Sequence, residues 1–416
     1  MKVFERYFQR NPLEGALNFQ NNPEVMVIIP VFNDREIFAT IDSLSACSTT
    51  EGQAGIIIVV NYGEKCEENL KAINRNLAEE IKRYVAAKEK MPHLCFSVIE
   101  AFDLPDRQAG VGLARKIAMD AAAYYFYQTG KIESPILSLD ADTLVETNYL
   151  DETIRFFRLH PVAGVSIAYE HRLEDLRNDP FNRTAMIKYE LYLHYYRAAL
   201  AYTGHPYAFH CIGSAFAVRA IDYVAEGGMN KRQAGEDFYF LQKLIATGRY
   251  ATLHTTKVYP SARFSDRTPF GTGQAVRQIV ENGGAYSVYH FGAFRELKSF
   301  FSGLPTLFRA DEQTVKAYFD RQPLAIHRFL DEITGEAILE EVNANCASEK
   351  QFRKRFFDRF NAFRVLKYLN YAHSEIYRKE EVMTGVKALF IELNLPFSDD
   401  PFENLQLLRN HRSDLQ

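Results

Sequence analysis

Two carboxylates follow an apolar run near the middle of the chain. The run ends at Leu139, and Asp140 and Asp142 come next with one alanine between them. On an extended backbone, side chains two positions apart point to the same side of a strand. Two carboxylates in that arrangement can hold Mg²⁺ or Mn²⁺, and such ions commonly accompany the phosphates of a nucleotide. Because Asp-x-Asp alone is weak evidence, a turn that caps the helix beginning near Asn148 is an open alternative.

A second acidic pair, Glu236 and Asp237, follows Gly235 and opens a predicted helix that reaches about Thr247. Carboxylates in the first turn of a helix complement its dipole and cap free N–H groups, and this explanation is favoured for either residue taken singly. The functional interpretation is that Asp237 faces the strand that ends at Asp140 and acts as a general base toward an acceptor hydroxyl.

Four basic side chains are candidates for holding an anion. Arg115 follows a glycine-containing turn, and Arg263, Arg267 and Arg277 flank the Gly-rich segment 268–273. Cations on a loop of this kind could close over a diphosphate and offset the charge of a leaving group. The alternatives are a solvated helix position for Arg115 and surface ion pairs, which contribute little energy, for the loop arginines.

One histidine and one glycine pattern complete the set of candidate features. His254 is a further candidate metal ligand, although a lone histidine is more often a structural residue. Gly110 and Gly112 form G-x-G, but the third glycine is missing and the pattern follows a loop rather than the first strand. A dinucleotide fingerprint is therefore not predicted.

The elements that must position these residues come from a regular alternation of apolar runs and helical segments. Val25 to Val31 and Ile56 to Val60 are continuous apolar runs, the form of strands buried on both faces, and helical periodicity separates them. This order predicts crossover units and a mostly parallel sheet flanked by helices, in which ligands bind beyond the carboxyl ends of the strands. Asn33, Asn61 and Asp140 all lie at such ends.

Beyond about Phe291 the strand alternation stops, and the sequence predicts an appended helical region. Between Lys350 and Ala372, four phenylalanines fall on one helix face and the remainder is strongly basic. That pattern suits an anionic membrane surface or a phosphorylated lipid acceptor. It equally suits a helix that docks its Phe stripe on the first domain, which is the favoured interpretation. The tyrosines between 189 and 207 could stack on sugars, but packing is favoured for them.

The bulk composition limits the class of protein. The chain has 416 residues, 47% hydrophobic and 25% charged, which indicates a globular protein with one large domain and an addition, or two domains. A net charge of -4 with scattered acids and bases gives no sign of a nucleic-acid partner. Five cysteines without a C-x-x-C pair argue against a disulfide framework and a zinc site. With no signal peptide and no apolar run long enough to cross a bilayer, the sequence predicts a cytoplasmic location.

The order of these motifs resembles that of the family 2 glycosyltransferases, which have the GT-A fold. The resemblance spans roughly residues 25 to 278 and lies in the succession of motifs rather than in any one of them. The motifs are Ile29-Pro30-Val31-Phe32-Asn33, the strand ending at Asn61, Gly110 to Arg115, Leu139-Asp140-Ala141-Asp142, Ile212-Gly213-Ser214-Ala215-Phe216, Gly227-Gly228-Met229 and Gly235-Glu236-Asp237.

The resemblance implies specific roles for residues that bind the donor. Asp140 would lie toward the ribose and sugar of a nucleotide-sugar donor, and Asp142 would ligate the metal ion bound to the donor diphosphate. Arg115 matches the arginine at the nucleotide-base pocket, and Pro30 and Val31 line that pocket.

The resemblance also implies a catalytic residue, because Asp237 matches the general base of the inverting members and Glu236 lies beside it. Two positions depart from the family pattern. Where members usually carry Asp-Asp-Gly after the second strand, this chain has Asn61-Tyr62-Gly63. An amide both accepts and donates hydrogen bonds, so uracil remains compatible while the identity of the base stays open. Gln274 to Arg277 resemble the start of the Q-x-x-R-W motif of processive members, but Gln278 replaces the Trp, so processive export is not expected.

The sequence therefore predicts an α/β protein with a GT-A fold, which is Rossmann-like and mostly parallel, and an appended C-terminal helical region. Its predicted parts are an N-terminal extension over 1–24, a catalytic domain over 25–290 and a helical region over 291–416. The expected activity is inverting, metal-dependent transfer of a sugar from a UDP- or GDP-sugar, with Mn²⁺ or Mg²⁺ as cofactor and Asp237 as base. The acceptor is a saccharide, a small molecule or a lipid-linked compound, with peripheral membrane contact through 350–372 as one option.

Two alternatives stay open at this stage. One is a retaining transferase on the same fold, in which Asp237 is not the base. The other is a non-catalytic protein that binds a sugar nucleotide or a partner, an alternative supported by the departure at Asn61. A nucleotidyltransferase is not expected, because the Gly-rich loop that such enzymes need directly after the first strand is absent.

Overall fold

The computed structural model describes residues 1–13, 17, 19, 22–88, 93–231, 235–263 and 271–411. The strands are β1 (Val25–Val31), β2 (Ala54–Gly63), β3 (Leu94–Leu104), β4 (Pro135–Ser138), β5 (Leu144–Val145), β6 (Gly164–Tyr169), β7 (Phe216–Arg219), β8 (Tyr250–Tyr259), β9 (Ser287–Val288) and β10 (Glu380–Glu381). The α-helices are α1 (Lys2–Arg10), α2 (Ile37–Ser45), α3 (Glu68–Lys88), α4 (Val111–Gln128), α5 (Tyr149–Leu159), α6 (Pro180–Tyr202), α7 (Ala220–Ala225), α8 (Glu236–Ala246), α9 (Thr272–Glu281), α10 (Phe291–Ser302), α11 (Glu312–Asp320), α12 (Leu324–Glu332), α13 (Gly335–Ala344), α14 (Glu349–Arg359), α15 (Ala362–Glu375), α16 (Val382–Leu393) and α17 (Pro401–Asn410).

The chain divides into two compact units. The first unit comprises Met1–Asp175 and Cys211–Gly271, and the second comprises Leu176–His210 and Thr272–Gln416. The second unit therefore takes in residues 176–210 and 272–290, which the sequence analysis placed in the catalytic domain.

The first unit is built on an eight-stranded sheet with the order β3-β2-β1-β4-β7-β6-β8-β5. β1 pairs in parallel with β2 and β4, β2 with β3, and β6 with β8. β7 runs antiparallel to β4 and β6, and β5 runs antiparallel to β8. Helices α3 and α4 pack against the sheet. The predicted fold class, an α/β protein with a mostly parallel sheet flanked by helices and an appended helical region, is confirmed.

The strand pairing brings the predicted strand ends to one edge of this sheet. All seven residues of β1 are buried, as expected for a continuous apolar run with layers on both faces. Val31 pairs with Val60, and Ile28 pairs with Ser138, so β1, β2 and β4 end side by side. This edge therefore gathers Asn33 and Asp140, which follow β1 and β4, and Asn61, which lies on β2 just past its last pair with β1.

The N-terminal segment belongs to the first unit. Within the predicted extension 1–24, α1 buries Phe4 and Tyr7. The Tyr7 hydroxyl donates to the Asp120 carboxylate at 2.7 Å, and the Lys116 ammonium donates to the same carboxylate at 2.9 Å. Since Lys116 and Asp120 both lie on α4, this buried network fixes α1 against the helix that also carries Arg115.

The second unit is helical, and its aromatic side chains form its own core. Phe352, Phe356 and Phe360 are buried, and the rings of Phe356 and Phe360 contact Phe300 and Phe301 of α10. The favoured docking interpretation was therefore right about burial but wrong about the partner, because the Phe stripe packs inside the helical unit. The exposed side of α14 is mostly basic, although Glu349 and Asp358 are exposed on it as well.

The tyrosines of the second unit were predicted to pack rather than to stack on sugars. Tyr189, Tyr195 and Tyr207 are buried, which agrees with packing for these three tyrosines.

In neither unit is any of the described helices sufficiently long and apolar to cross a bilayer.

Candidate active site

The backbone between Asp140 and Asp142 is a turn rather than an extension of β4. β4 ends at Ser138, and the Thr143 N–H donates to the Asp140 carbonyl at 3.2 Å. The turn sends the two carboxylates to different partners, Asp140 to Arg115 and Asp142 to Arg263. The turn interpretation and the functional interpretation are thus compatible, because the turn presents both carboxylates at the strand ends.

Arg115 links Asp140 to Glu236 in a buried ion cluster. Its Nη2 lies 2.6 Å from Asp140 Oδ1, and its Nη1 contacts Glu236 Oε1. Arg115 and Glu236 are each 2% exposed, so both charges depend on their partners. Gly213 makes room for this cluster, because a Cβ at that position would lie 2.8 Å from Arg115 Nη2.

These contacts decide between the two sequence interpretations of Arg115. A solvated helix position is wrong, because the guanidinium is buried. An anion does lie beside it, but the anions are the Asp140 and Glu236 carboxylates. Its implied place at the nucleotide-base pocket stays a prediction, and both terminal nitrogens already have protein partners in this structure.

Asp237 lies in the first turn of α8, next to the Arg115 cluster. The turn begins at Gly235, whose φ of 70° favours glycine, and the Asp237 Oδ1 accepts from the Phe238 N–H at 2.7 Å. Burial raises the pKa of Asp237, and the nearby Arg115 charge offsets this only in part. Burial likewise raises the pKa of Glu236. A carboxylate with a raised pKa is better matched to proton abstraction near neutral pH than an ordinary one.

Arg263 joins Asp142 to Asp34, a residue that the sequence analysis missed. The Arg263 Nη2 contacts Asp34 Oδ2 and lies 3.2 Å from Asp142 Oδ2. Asp34 follows the end of β1 by three residues and is only 3% exposed. Its position directly after Asn33 at the same sheet edge was the signal that could have identified it. Burial lowers the pKa of Arg263, but Asp34 and Asp142 reverse this, so that the pKa is raised overall.

Asn61 is oriented by the backbone of β1. Its Nδ2 donates to the Val31 carbonyl at 3.0 Å. Because a carbonyl oxygen can only accept, the amide nitrogen must face it, and Oδ1 is the atom left for a ligand. No described residue donates to Oδ1. Asn61 can therefore accept an N–H from a base, as an aspartate at this position would.

We expect Asn61→Asp to destabilise the fold at neutral pH, because a carboxylate oxygen would replace the amide donor beside the Val31 carbonyl. The expected loss is about 1–3 kcal/mol of unfolding free energy, the cost of an unsatisfied buried polar group. The fold would favour the protonated carboxyl, whose pKa would rise, so the deficit should shrink as the pH falls through that pKa. Urea unfolding at neutral and acid pH measures the unfolding free energy of the variant. Equal stability of N61D and the exposed control N282D at neutral pH would refute the predicted loss.

The remaining predicted donor residues are placed as follows. Pro30 and Val31 are buried in β1, so their role at the base pocket stays a prediction. Arg267 lies outside the described residues. Arg277 lies on α9 in the second unit and is exposed.

The predicted three-ligand metal set is not gathered. His254 is exposed on β8, within the irregularity between the pairs Ile167–Leu253 and Ala168–Lys257. Across the described ranges, no group of three or more His, Cys, Asp or Glu side chains could hold a metal ion. Carboxylate oxygens are nevertheless the ligands that Mg²⁺ and Mn²⁺ prefer, and oxygens of Asp34 and Asp142 converge here on the cationic Nη2 of Arg263.

A cavity of about 650 Å³ opens at the opposite end of the sheet from the predicted site, where β4 begins and β7 ends. Pro135 and Arg219 line it, and none of the predicted site residues does. The Arg219 guanidinium is engaged by backbone carbonyls, including that of Glu133 at 2.9 Å, so its role there is structural.

Comparisons with known proteins give weak structural similarities only. No family model matches this sequence, and no curated protein matches it. Residues 1–349 of S. aureus TarS, in complex with UDP-GlcNAc, align with a TM-score of 0.40 and 12% identity over 80% of this chain and 91% of that chain. The mannosyltransferase PcManGT from Pyrobaculum calidifontis, in complex with GDP-Man and Mn²⁺, aligns with a TM-score of 0.36 and 14% identity over 98% of this chain and 92% of that chain. GalNAc-T7 with UDP, GalNAc and Mn²⁺ aligns with a TM-score of 0.39 and 13% identity over 76% of this chain and 58% of that chain.

Similarities of this size carry no argument about activity. The fold class therefore stands on the sheet itself, and the resemblance to family 2 stays a prediction.

Proposed function

We propose that this protein is a glycosyltransferase that moves a sugar from a nucleoside-diphosphate sugar to an acceptor hydroxyl, with a divalent metal ion and with inversion. One observation supports the proposal above all others. At the carboxyl edge of the sheet, Asp140 after β4 and the Glu236-Asp237 pair at the start of α8 come from distant segments and meet around Arg115. Asp142, two residues after Asp140, pairs with Arg263 at the same edge. Such edges are where α/β sheets bind ligands.

The charge at this edge supports a metal ion. The carboxylates are those of Asp34, Glu36, Asp140, Asp142, Glu236 and Asp237, against the guanidinium groups of Arg115, Arg172 and Arg263. A donor diphosphate would add further negative charge to this excess of acids. Asp142, with Asp140 beside it, would hold Mn²⁺ or Mg²⁺. When bound, the ion supplies charge stabilisation for the departing diphosphate.

The residues of this chain supply the proton transfer. Asp237 takes the proton of the acceptor hydroxyl as the oxygen attacks the anomeric carbon, and the bond from that carbon to the diphosphate oxygen breaks on the opposite side. The raised pKa of Asp237 suits this role. Glu236, held by Arg115, fixes the first turn of α8 and so positions Asp237.

Asn61 supports a donor with a uracil or guanine base. Both bases carry a ring N–H, and the free Oδ1 of Asn61 is an acceptor at the end of β2. UDP- and GDP-sugars are therefore the donors to test first. Asp140 would face the ribose and sugar of that donor. The acceptor is a saccharide, a small molecule or a lipid-linked compound.

Asp142→Ala tests the proposal by removing a metal ligand that contributes little to folding. We expect metal-dependent donor turnover to fall to background, while the unfolding free energy changes by less than about 1 kcal/mol, because the pair with Arg263 is partly exposed. Release of UDP or GDP with and without Mn²⁺ measures turnover, and D320A, at an exposed aspartate of α11, is the control. Normal metal-dependent turnover in D142A would overturn the metal assignment.

The anomeric configuration of the product, read by NMR, separates inversion from the retaining alternative. Donor binding without any transfer or hydrolysis would favour a non-catalytic sugar-nucleotide-binding protein.

A further inference from the structure

Arg263 occupies a position between two carboxylates that come from different segments. Its Nη2 contacts Asp34 after β1 and lies 3.2 Å from Asp142 after β4. Asp34 is buried, whereas the Arg263 side chain is 30% exposed. One nitrogen of this arginine thus lies where two carboxylate oxygens converge, and part of the side chain remains open to solvent.

This position must hold a positive charge whether or not a ligand is present. Removing one member of a buried ion pair is strongly destabilising, and the buried Asp34 has Arg263 at its Oδ2, while its Oδ1 accepts from the Glu36 N–H at 3.1 Å. A divalent ion bound by Asp142 would lie close to the Arg263 guanidinium and repel it, because like charges at short range in a partly buried site are poorly screened. Asp142 therefore cannot serve both cations equally well.

We propose that Arg263 and the divalent metal ion compete for Asp142, and that the displaced guanidinium turns to the donor diphosphate while Asp34 keeps its contact to the same side chain or to the ion. This inference rests on the proposed function, since it assumes a metal and a diphosphate at this edge. A guanidinium is suited to the second task because its fork of N–H groups matches phosphate oxygens.

The competition makes metal and nucleotide binding cooperative. Without a diphosphate, Arg263 stays on Asp142 and weakens metal binding. With a diphosphate present, Arg263 gains a new partner, and Asp142 is released for the ion. Each ligand thereby favours the other, and the coupling is reciprocal as thermodynamic linkage requires.

Arg263→Ala in the full chain tests this inference through two affinities that should change in opposite directions. Without nucleotide, Mn²⁺ should bind at least about fivefold more tightly to R263A than to wild type, because its competitor is gone. With saturating Mn²⁺, UDP and GDP should bind at least about tenfold more weakly, because a phosphate contact is lost. The EPR signal of free Mn²⁺ measures the first affinity, and isothermal titration calorimetry measures the second.

The control is Arg158→Ala, which removes a half-exposed arginine paired with Glu24 and Glu51, and which should change neither affinity. If R263A does not fold, D34N/R263A removes the buried charge together with its partner, and its Mn²⁺ affinity is compared with that of D34N.

An Mn²⁺ affinity that is unchanged or weakened in R263A overturns the competition. An unchanged UDP and GDP affinity overturns the transfer of Arg263 to the diphosphate. If wild type binds neither Mn²⁺ nor the nucleotides, the proposed function itself fails, and the inference fails with it.

Discussion

Asp237→Asn is expected to lower kcat by about 10²–10⁴-fold, the range that general-base catalysis contributes. The amide keeps the size of the side chain and its place in the first turn of α8, so donor binding should be retained. Initial rates over a range of donor concentrations separate kcat from KM. The rate of the wild-type enzyme should fall as the pH drops through the raised pKa of Asp237, because the base must be deprotonated. This acidic limb should disappear in D237N.

Two comparison variants show whether the loss belongs to Asp237. D320N changes an exposed aspartate in the same chemical way and should leave kcat unchanged. E236Q weakens the contact to Arg115 without removing the base, so its effect on kcat should be smaller than that of D237N. An unchanged kcat in D237N would rule out Asp237 as the general base and leave the retaining alternative in place.

Arg115→Ala is expected to be the most destabilising single substitution at this site. It would leave the buried Glu236 without its cation and would remove the partner of Asp140. Breaking a buried ion pair by deleting one member costs about 3–5 kcal/mol. Guanidinium-induced unfolding of R115A, followed by far-UV circular dichroism, should show a much lower midpoint at an unchanged slope.

The double variant R115M/E236Q identifies the cause of this loss. Because it removes both buried charges, it should recover a large part of the stability lost in R115A, and R115M, E236Q and R115M/E236Q together form a cycle that measures the coupling. Arg355→Ala, at an exposed position of α14, is the control for loss of an arginine. A midpoint of R115A equal to that of R355A would contradict the buried cluster.

The parts of the fold that sequence patterns predicted are those with local causes. β1 and β2 were predictable because strands covered on both faces need continuous apolar runs, and the residues that follow them could then be assigned to one edge. Asp140 and Asp142 could be selected because they end such a run. The helix at Glu236 was predictable from its glycine and its acidic first turn.

The contacts within the site could not be predicted, because they join segments far apart in the chain. Arg115 meets Glu236 across 121 residues, and Arg263 meets Asp34 across 229. Nothing in the local sequence of either arginine indicates its partners, and helical spacing alone left Arg115 with a solvated interpretation. The role of Asn61 likewise depends on the Val31 carbonyl of a neighbouring strand.

In the helical unit, too, the packing partner of a buried face could not be predicted from the sequence. The periodicity of its phenylalanines predicted a buried face on α14, and that face is buried. Periodicity does not identify the surface that covers such a face, and here the cover is α10 of the same unit.

The proposed function requires that a nucleoside-diphosphate sugar bind at the Asp140-Asp142 edge together with a metal ion. Thermal unfolding of wild type and D142A with UDP- and GDP-sugars, each with and without Mn²⁺, measures this binding. A true donor at a hundred times its Kd should stabilise wild type by about 2.7 kcal/mol, only when Mn²⁺ is present, and should leave D142A unchanged. Stabilisation of both proteins to the same extent, or of neither by any donor, would contradict metal-dependent donor binding at Asp142.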